Sequence, residues 1–246
     1  MNRPMIMAHR GASAHAPENT MPAFRMAMDQ GADGMELDVH LTQDGVAVVI
    51  HDETSDRTGT RQGRIMDRTL DDLEQDDFGM KRGIRFAGTR IPTLKAVLHL
   101  LDGWSGCLNI ELKTDVFEYP GIEETVLSLV AAAGARDRVV ISSFHHASLA
   151  RCRAADPDIE LAALLPHGRE PDLTALRAMG VNAIHPDARD IRPVRVKQWH
   201  LAGFKVRPYT ADSRLLLLWL AFCGVDAVFT NKPRESAAFL RFWCRK

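Results

Sequence analysis

The sequence predicts a (β/α)8 barrel, α/β in class, with a small insertion near the barrel mouth. Short β-rich runs alternate with helical patterns along all 246 residues, and no composition break or flexible linker divides them. Polar residues capable of chemistry recur at the C-terminal ends of several separate strand candidates, where barrels of this kind keep their sites. A doubly wound open sheet is the competing architecture; the spread of polar strand ends over separate units favours the barrel. A turn-rich stretch between His51 and Ile91 interrupts the alternation once. The chain, 1–246, reads as a single domain with enough length to bury a large core.

The elements follow in order. Residues 5–8 form a short apolar strand that runs into His9-Arg10-Gly11. Asn19 is the expected N-cap of the first helix, with Phe24 and Met28 one turn apart and Gly31 at its end. Strands are predicted over 34–39 and 46–50, the second leading into His51-Asp52. The insertion spans approximately 52–90. It holds the turn-rich runs 56–59, 63–65 and 79–83 and one short helix within 67–75, the mark of a lid or functional excursion. Further strands are predicted over 107–112, 138–142, 160–164, 181–185, 204–208 and 225–230. Between them, Ile122, Val126, Leu129, Val130 and Ala133 make an apolar helical face, and His145 and His146 open a helix after the strand that ends near Phe144. Asp212-Ser213 starts a helix whose apolar run, 215–223, reads as buried and is far too short to span a bilayer. Asn231 with Pro233 starts the last helix. The tail, 239–246, is expected to pack on the barrel, with a membrane-surface or dimer contact as the lesser reading.

A net charge of −1 gives no support for coating nucleic acid. Cys107, Cys152, Cys223 and Cys244 are scattered without Cys-x-x-Cys spacing, so they read as reduced thiols, in keeping with a cytoplasmic location. The stretch before His9 is too short to hold a signal peptide, and no stable membrane insertion is expected.

Glu36 and Asp38 stand two apart in a predicted strand and therefore project to one side. Two carboxylates so close repel unless a cation or proton lies between them, and hard divalent ions take oxygen ligands. Glu111 and Lys113 share a face at the end of another strand, and His9 and His51 follow two more. If these strands are neighbours, carboxylates, imidazoles, a guanidinium and an ammonium converge. That inventory suits phosphate ester chemistry: a metal and Arg10 neutralise the phosphate, while His9 and His51 move protons. His15, His40, His145, His146 and His185 read as hydrogen-bonded structural residues.

His9-Arg10-Gly11, Pro17-Glu18-Asn19-Thr20, Glu36-Leu37-Asp38-Val39, His51-Asp52, Ile91-Pro92-Thr93-Leu94 and Asn109-Ile110-Glu111-Leu112-Lys113, in this order, resemble the glycerophosphodiester phosphodiesterase family. The resemblance runs from the first strand to the end of the chain and is strongest in the first half. It implies the barrel, a subdomain at the insertion covering part of the mouth, and Glu36, Asp38 and Glu111 as ligands of one divalent cation, Mg²⁺ or Ca²⁺. It implies hydrolysis of a small-molecule glycerophosphodiester to glycerol 3-phosphate and an alcohol. His9 and His51 would be general acid and base, in either order, with water or a substrate hydroxyl as nucleophile. Arg10 and Lys113 would bind phosphate, with Glu18 as a hydrogen-bond partner of the site's His or Arg side chains. The family often carries Trp-Thr-x-Asn where this chain has Tyr209-Thr210-Ala211-Asp212, so Tyr209, with Phe144, is an expected substrate contact and the head-group preference stays open. Relatives also imply lysophospholipase D or phospholipase D activity as an alternative, and a non-catalytic phosphate-binding barrel is the alternative of a different class. A homo-oligomer is left open.

Overall fold

The computed structural model describes residues 2–244. Its strands are β1 (Met5–Ala8), β2 (Gly34–Leu41), β3 (Ala47–Val49), β4 (Cys107–Leu112), β5 (Val139–Ser143), β6 (Glu160–Leu165), β7 (Ala183–Pro186), β8 (Lys205–Val206) and β9 (Ala227–Thr230). The main path of the sheet is β8-β7-β6-β5-β4-β2-β1-β9, parallel at every step. Main-chain hydrogen bonds join its two ends: Asp226 N donates to Val206 O (2.8 Å), Phe229 N to Pro208 O (3.0 Å) and Ala211 N to Phe229 O (2.8 Å). The result is a (β/α)8 barrel.

Each strand predicted from sequence is present, but β3 is not a stave. It runs antiparallel to β2, with Val39 opposite Val49 and Leu41 opposite Ala47. β2 extends beyond Asp38, turns at Asp44-Gly45 and returns, so His51 reaches the mouth from outside the ring rather than from the tip of a neighbouring stave. An apolar run specifies a strand and leaves its direction open; the Asp-Gly turn is the local signal for a hairpin.

Period-two alternation sorts the staves. On β2, Met35, Leu37 and Val39 join the outer core beneath the helices, and Glu36 and Asp38 point into the barrel. On β4, Leu108, Ile110 and Leu112 face out while Asn109 and Glu111 face in. Lower in the barrel, Met7, Ala227 and Phe229 fill one side and Val140, Ala162 and Ala183 the other. The lower interior is thus packed with apolar side chains, and polar groups collect at the C-terminal mouth.

The helices are α1 (Met21–Asp29), α2 (Leu70–Leu73), α3 (Leu94–Leu100), α4 (Ile122–Ala132), α5 (His146–Ala155), α6 (Leu173–Ala178), α7 (Pro193–Leu201), α8 (Arg214–Cys223) and α9 (Pro233–Trp243). Thr20, not Asn19, caps α1, accepting from Ala23 N. Ser213 caps α8, and Pro233 opens α9 after Lys232. α8 is only half buried: Leu217, Leu220 and Ala221 pack inward, and Leu215 and Phe222 are exposed. α9 packs through Ala237 and Leu240 and exposes Phe242 and Trp243; Arg245 and Lys246 of the expected tail lie outside the described residues. Among the described residues no helix is long and apolar enough to cross a membrane.

The segment between β3 and α3 has a small core of its own. Ile65, Leu73, Phe78 and Ile91 pack on Val48 and Ile50. Asp76 is fully buried and receives Arg61 and Arg68, the latter from Nη1 at 2.7 Å. Arg82 Nη2 donates to Ser13 O at 3.3 Å and Arg85 Nη2 to His15 O at 3.0 Å, tying the segment to the loop after β1.

Candidate active site

Register brings the first cluster together. Glu36 pairs with Asn109 and Asp38 with Glu111 across β2 and β4, so carboxylates from adjacent staves lie on one level. Glu36, Asp38 and Glu111 are buried and each offers an oxygen within 4.8 Å of the others. Burial, then Asp38 and Glu111, push Glu36 well above the usual carboxylate range. Burial and Asp38 raise Glu111 to about 7 against the opposing pull of Lys113. Burial also works to raise Asp38, but Arg10, His51 and Lys113 outweigh it and hold it below its ordinary value. Glu36 Oε1 and Asp38 Oδ1 are buried without a hydrogen-bond partner. Clustered like charge and orphaned hard oxygens fit a divalent cation such as Mg²⁺ or Ca²⁺.

Arg10 sits above this cluster with φ 56°, a left-handed backbone that a non-glycine residue adopts only under strain. That turn aims Arg10 N at Glu36 Oε2 (2.8 Å). The guanidinium donates through Nη1 to Glu18 Oε1 (2.9 Å), and its Nε lies 3.4 Å from Asp38 Oδ2 without forming a hydrogen bond. Gly11 follows with φ 76°, and a Cβ there would meet the backbone of Ala23 at 2.7 Å. Asn19, also left-handed at φ 55°, donates from Nδ2 to Asp38 Oδ2 at 2.8 Å. A short amide before a helix reads as a cap in sequence; here a buried carboxylate takes it instead.

The two histidines are held differently. His51 Nδ1 lies 2.7 Å from Asp52 Oδ1. Asp52 receives Arg57 from Nε (2.7 Å) and Nη2 (2.9 Å), and the same guanidinium reaches both oxygens of Glu18 at 2.8 and 2.7 Å. Against partial burial, Arg57 and His51 hold Asp52 far below the usual carboxylate range. Buried His40 supports the His51 backbone, its Nε2 3.1 Å from His51 O and its Nδ1 2.8 Å from Tyr119 Oη. His9 Nδ1 instead meets a neutral partner, Asn231 Oδ1, at 2.8 Å. Burial and Arg10 lower the His9 pKa to about 4.

A cavity of about 230 Å³ opens beside these groups, walled on one side by His9, Arg10, Glu36, His51 and Glu111. Phe144, Leu164, His185, Tyr209 and Phe229 form much of the opposite wall. Phe144 and Tyr209 meet edge to face, centroids 6.0 Å apart. The Tyr209 hydroxyl is engaged by Leu165 O (2.8 Å), so the cavity sees its ring. Lys113 is absent from these walls; its Nζ donates to Glu111 Oε1 at 3.0 Å. Glu18 likewise lies off the cavity, holding Arg10 and Arg57.

Sequence patterning does not reveal two further groups. His185, predicted as hydrogen-bonded, has no partner at either ring nitrogen and lines the cavity. Asn109 donates from Nδ2 to Ser142 Oγ (2.9 Å) and leaves Oδ1 unpaired on the same wall. Asn231 and Asp212 look like helix starts, and the structure joins them to each other and to His9.

The model of the glycerophosphoryl diester phosphodiesterase family matches residues 9–235. A glycerophosphodiester phosphodiesterase from Caldanaerobacter subterraneus subsp. tengcongensis is 41% identical over 238 residues, covering 96% of this chain and 98% of that protein. An Oleispira antarctica phosphodiesterase, solved in complex with the product sn-glycerol-3-phosphate, superposes with a TM-score of 0.87 at 28% identity, covering 96% of each chain. A putative glycerophosphoryl diester phosphodiesterase from Agrobacterium tumefaciens, 21% identical, shares the fold over the full length of both chains with a TM-score of 0.90.

Proposed function

The chain belongs to the glycerophosphoryl diester phosphodiesterase family, and on that premise we propose that it is a cation-dependent hydrolase of small glycerophosphodiesters, releasing glycerol 3-phosphate and an alcohol. The observation that carries this reading is the buried Glu36, Asp38 and Glu111 cluster beside two imidazoles on one cavity wall. Those carboxylates would hold one divalent cation, which when bound supplies charge neutralisation at the phosphoryl group.

Arg10, fixed over the cluster by Glu18, offers its planar fork to a nonbridging phosphate oxygen. His9, beside a neutral amide, suits the base: its free nitrogen takes the proton of the attacking hydroxyl as the new P–O bond forms. His51, beside a carboxylate that complements a positive ring, suits the acid: it gives a proton to the alkoxide as the ester P–O bond breaks. The attacking hydroxyl is water or the neighbouring glycerol hydroxyl, and detection of a cyclic phosphate separates the two. Lys113 holds Glu111 in place rather than gripping phosphate. Asn109 Oδ1 and the His185 ring offer hydrogen bonds to glycerol hydroxyls, while Phe144 and Tyr209 pack on the carbon chain. We read 1–246 as one barrel unit, with the 52–90 insertion bracing His51 through Arg57.

A cavity of about 230 Å³ suits a compact polar ester, and acyl chains would have to lie outside it. The test is release of choline from glycerophosphocholine, lysophosphatidylcholine and phosphatidylcholine side by side, with Mg²⁺ or Ca²⁺ and then with EDTA. Turnover of glycerophosphocholine that EDTA abolishes and added metal restores is expected. Equal or faster turnover of the acylated substrates would move the reading to a phospholipase D, and turnover of none would leave a binding protein.

A further inference from the structure

We infer that Asp212 is a positioning residue that sets which nitrogen of His9 carries the proton, acting through the side-chain amide of Asn231. The inference rests on the reading of His9 as a proton carrier and adds how its ring is prepared for that task.

The three residues sit on consecutive staves at the mouth. Asp212 follows the β8 segment, Asn231 follows β9 and His9 follows β1. The backbone is pinned beneath them: His9 N donates to Thr230 O at 2.9 Å and Ala14 N to Asn231 O at 3.0 Å. Three donors converge on Asp212. Oδ1 accepts from Asn231 N (2.8 Å) and Thr230 Oγ1 (2.9 Å), and Oδ2 accepts from Asn231 Nδ2 (2.6 Å).

A carboxylate offers only acceptors, so the Asn231 amide must turn its NH₂ towards Asp212. Its Oδ1 is then left facing His9 Nδ1 at 2.8 Å. An amide oxygen is also only an acceptor, so Nδ1 must be the donor. A neutral imidazole has one ring proton; with that proton on Nδ1, the lone pair lies on Nε2 and faces the cavity. Ser13 Oγ lies 2.8 Å from both His9 O and Asn231 Oδ1; with one proton to give and lone pairs to accept, it accommodates the orientation that Asp212 sets. The orientation of Asn231 follows from its contact with Asp212: turned over, its oxygen would face a carboxylate that has no proton to give.

The chain of constraint predicts an unusual pair of variants. In Asp212→Asn, the introduced amide oxygen can still accept from Asn231 N and Thr230, but its NH₂ needs an acceptor and finds one only if Asn231 turns over. His9 then faces an NH₂ and must shift its proton to Nε2. No hydrogen bond need be lost, so the fold is kept while the lone pair leaves the cavity. In Asp212→Asn/Asn231→Asp, the carboxylate now beside His9 again accepts from Nδ1, and the amide at position 212 donates to it, restoring the original tautomer.

The experiment uses the purified full chain with Mg²⁺ and ¹⁵N-labelled histidine, the His9 ring signals being identified by their loss in His9→Asn. The expected result is an Nδ1–H ring in the wild type, an Nε2–H ring in Asp212→Asn and an Nδ1–H ring in the double variant. With glycerophosphocholine, kcat should fall by about 10-fold or more in the single variant with KM little changed, and largely return in the double. An Nδ1–H ring in a folded single variant, or an Nε2–H ring in the double, overturns the inference. If the single variant fails to fold, the double decides by its tautomer and its kcat relative to wild type. A tautomer change with no change in kcat leaves the inference standing and overturns the reading of His9 as a proton carrier.

Discussion

The cavity has two unlike walls. On the side of β1, β2 and β4, Arg10, Glu36 and Glu111 crowd ionisable groups into a buried space, each held by a partner of its own. On the opposite side, Phe144, Leu164, Tyr209 and Phe229 are carbon surfaces, and the imidazole among them, His185, is kept neutral by burial and by Arg207. The first wall clusters carboxyl groups whose burial and mutual repulsion raise the pKa values of Glu36 and Glu111, and a proton or a divalent cation would relieve that repulsion. The second wall costs nothing of that kind and offers shape and a few unpaired hydrogen-bonding atoms. Under the proposed function, reaction and recognition would be divided between these two walls.

Breaking the charged wall should have the largest effect. Glu36→Ala or Glu111→Ala should lower kcat/KM by about 10³-fold, a loss of several kcal/mol of transition-state stabilisation. Steady-state rates with glycerophosphocholine over a metal titration check this, and a variant whose turnover and metal concentration dependence both match the wild type would remove the residue from the cation site. Next comes His51→Ala, expected to cost about 10²-fold on substrates with an alkoxide leaving group. A p-nitrophenyl ester needs no protonation on departure, so its hydrolysis should suffer far less. Equal losses on both substrates would reverse the acid and base assignments. Smaller still are changes to the neutral wall: Phe144→Ala and Tyr209→Ala should raise KM by about 5- to 20-fold with kcat nearly constant, the signature of lost uniform binding. A fall in kcat at constant KM would place these rings in the chemistry instead.

The smallest effect expected is on stability. His185 is neutral in the folded protein because its pKa is lowered, whereas in the unfolded chain it protonates near its ordinary value of 6.5. The unfolded state thus binds the extra proton below that pH, so the contribution of His185 is intact above about 6.5 and erodes as the pH falls, by at most about 1.4 kcal/mol per pH unit. Urea unfolding of wild type and His185→Phe from pH 7.5 down to 5 should show the gap between them shifting in favour of the variant on acidification. Parallel curves would mean that the ring is already solvated.

The two walls also differ in how far they can be read from the amino acids. Glu36 and Asp38 are two apart in an apolar strand, and such a pair is hard to explain without a ligand; register with Glu111 then follows from neighbouring parallel staves. The neutral wall leaves no comparable trace. His185 sits alone in an apolar strand, and nothing local distinguishes a bonded ring from a bare one. Asn19, Asp212 and Asn231 mislead for a different reason: each stands just before a helix, where small polar residues usually cap, yet each spends its side chain on a partner distant in sequence. The direction of β3 escapes because apolar alternation is blind to polarity of the chain; only the Asp44-Gly45 turn carries that information. Tertiary pairing, invisible to any window of a dozen residues, decides each of these cases.

β1 and β9 lie side by side, so His9 near the start of the chain is completed by Asn231 near its end. A ribosome delivers the acidic cluster and both imidazoles within the first half of synthesis, but the amide that orients one of those rings emerges only with the final strand. Until then the nascent polypeptide holds the parts of a catalyst without their alignment. A chain that stopped before β9 would lack both the strand that pairs with β1 and the amide that meets the His9 ring.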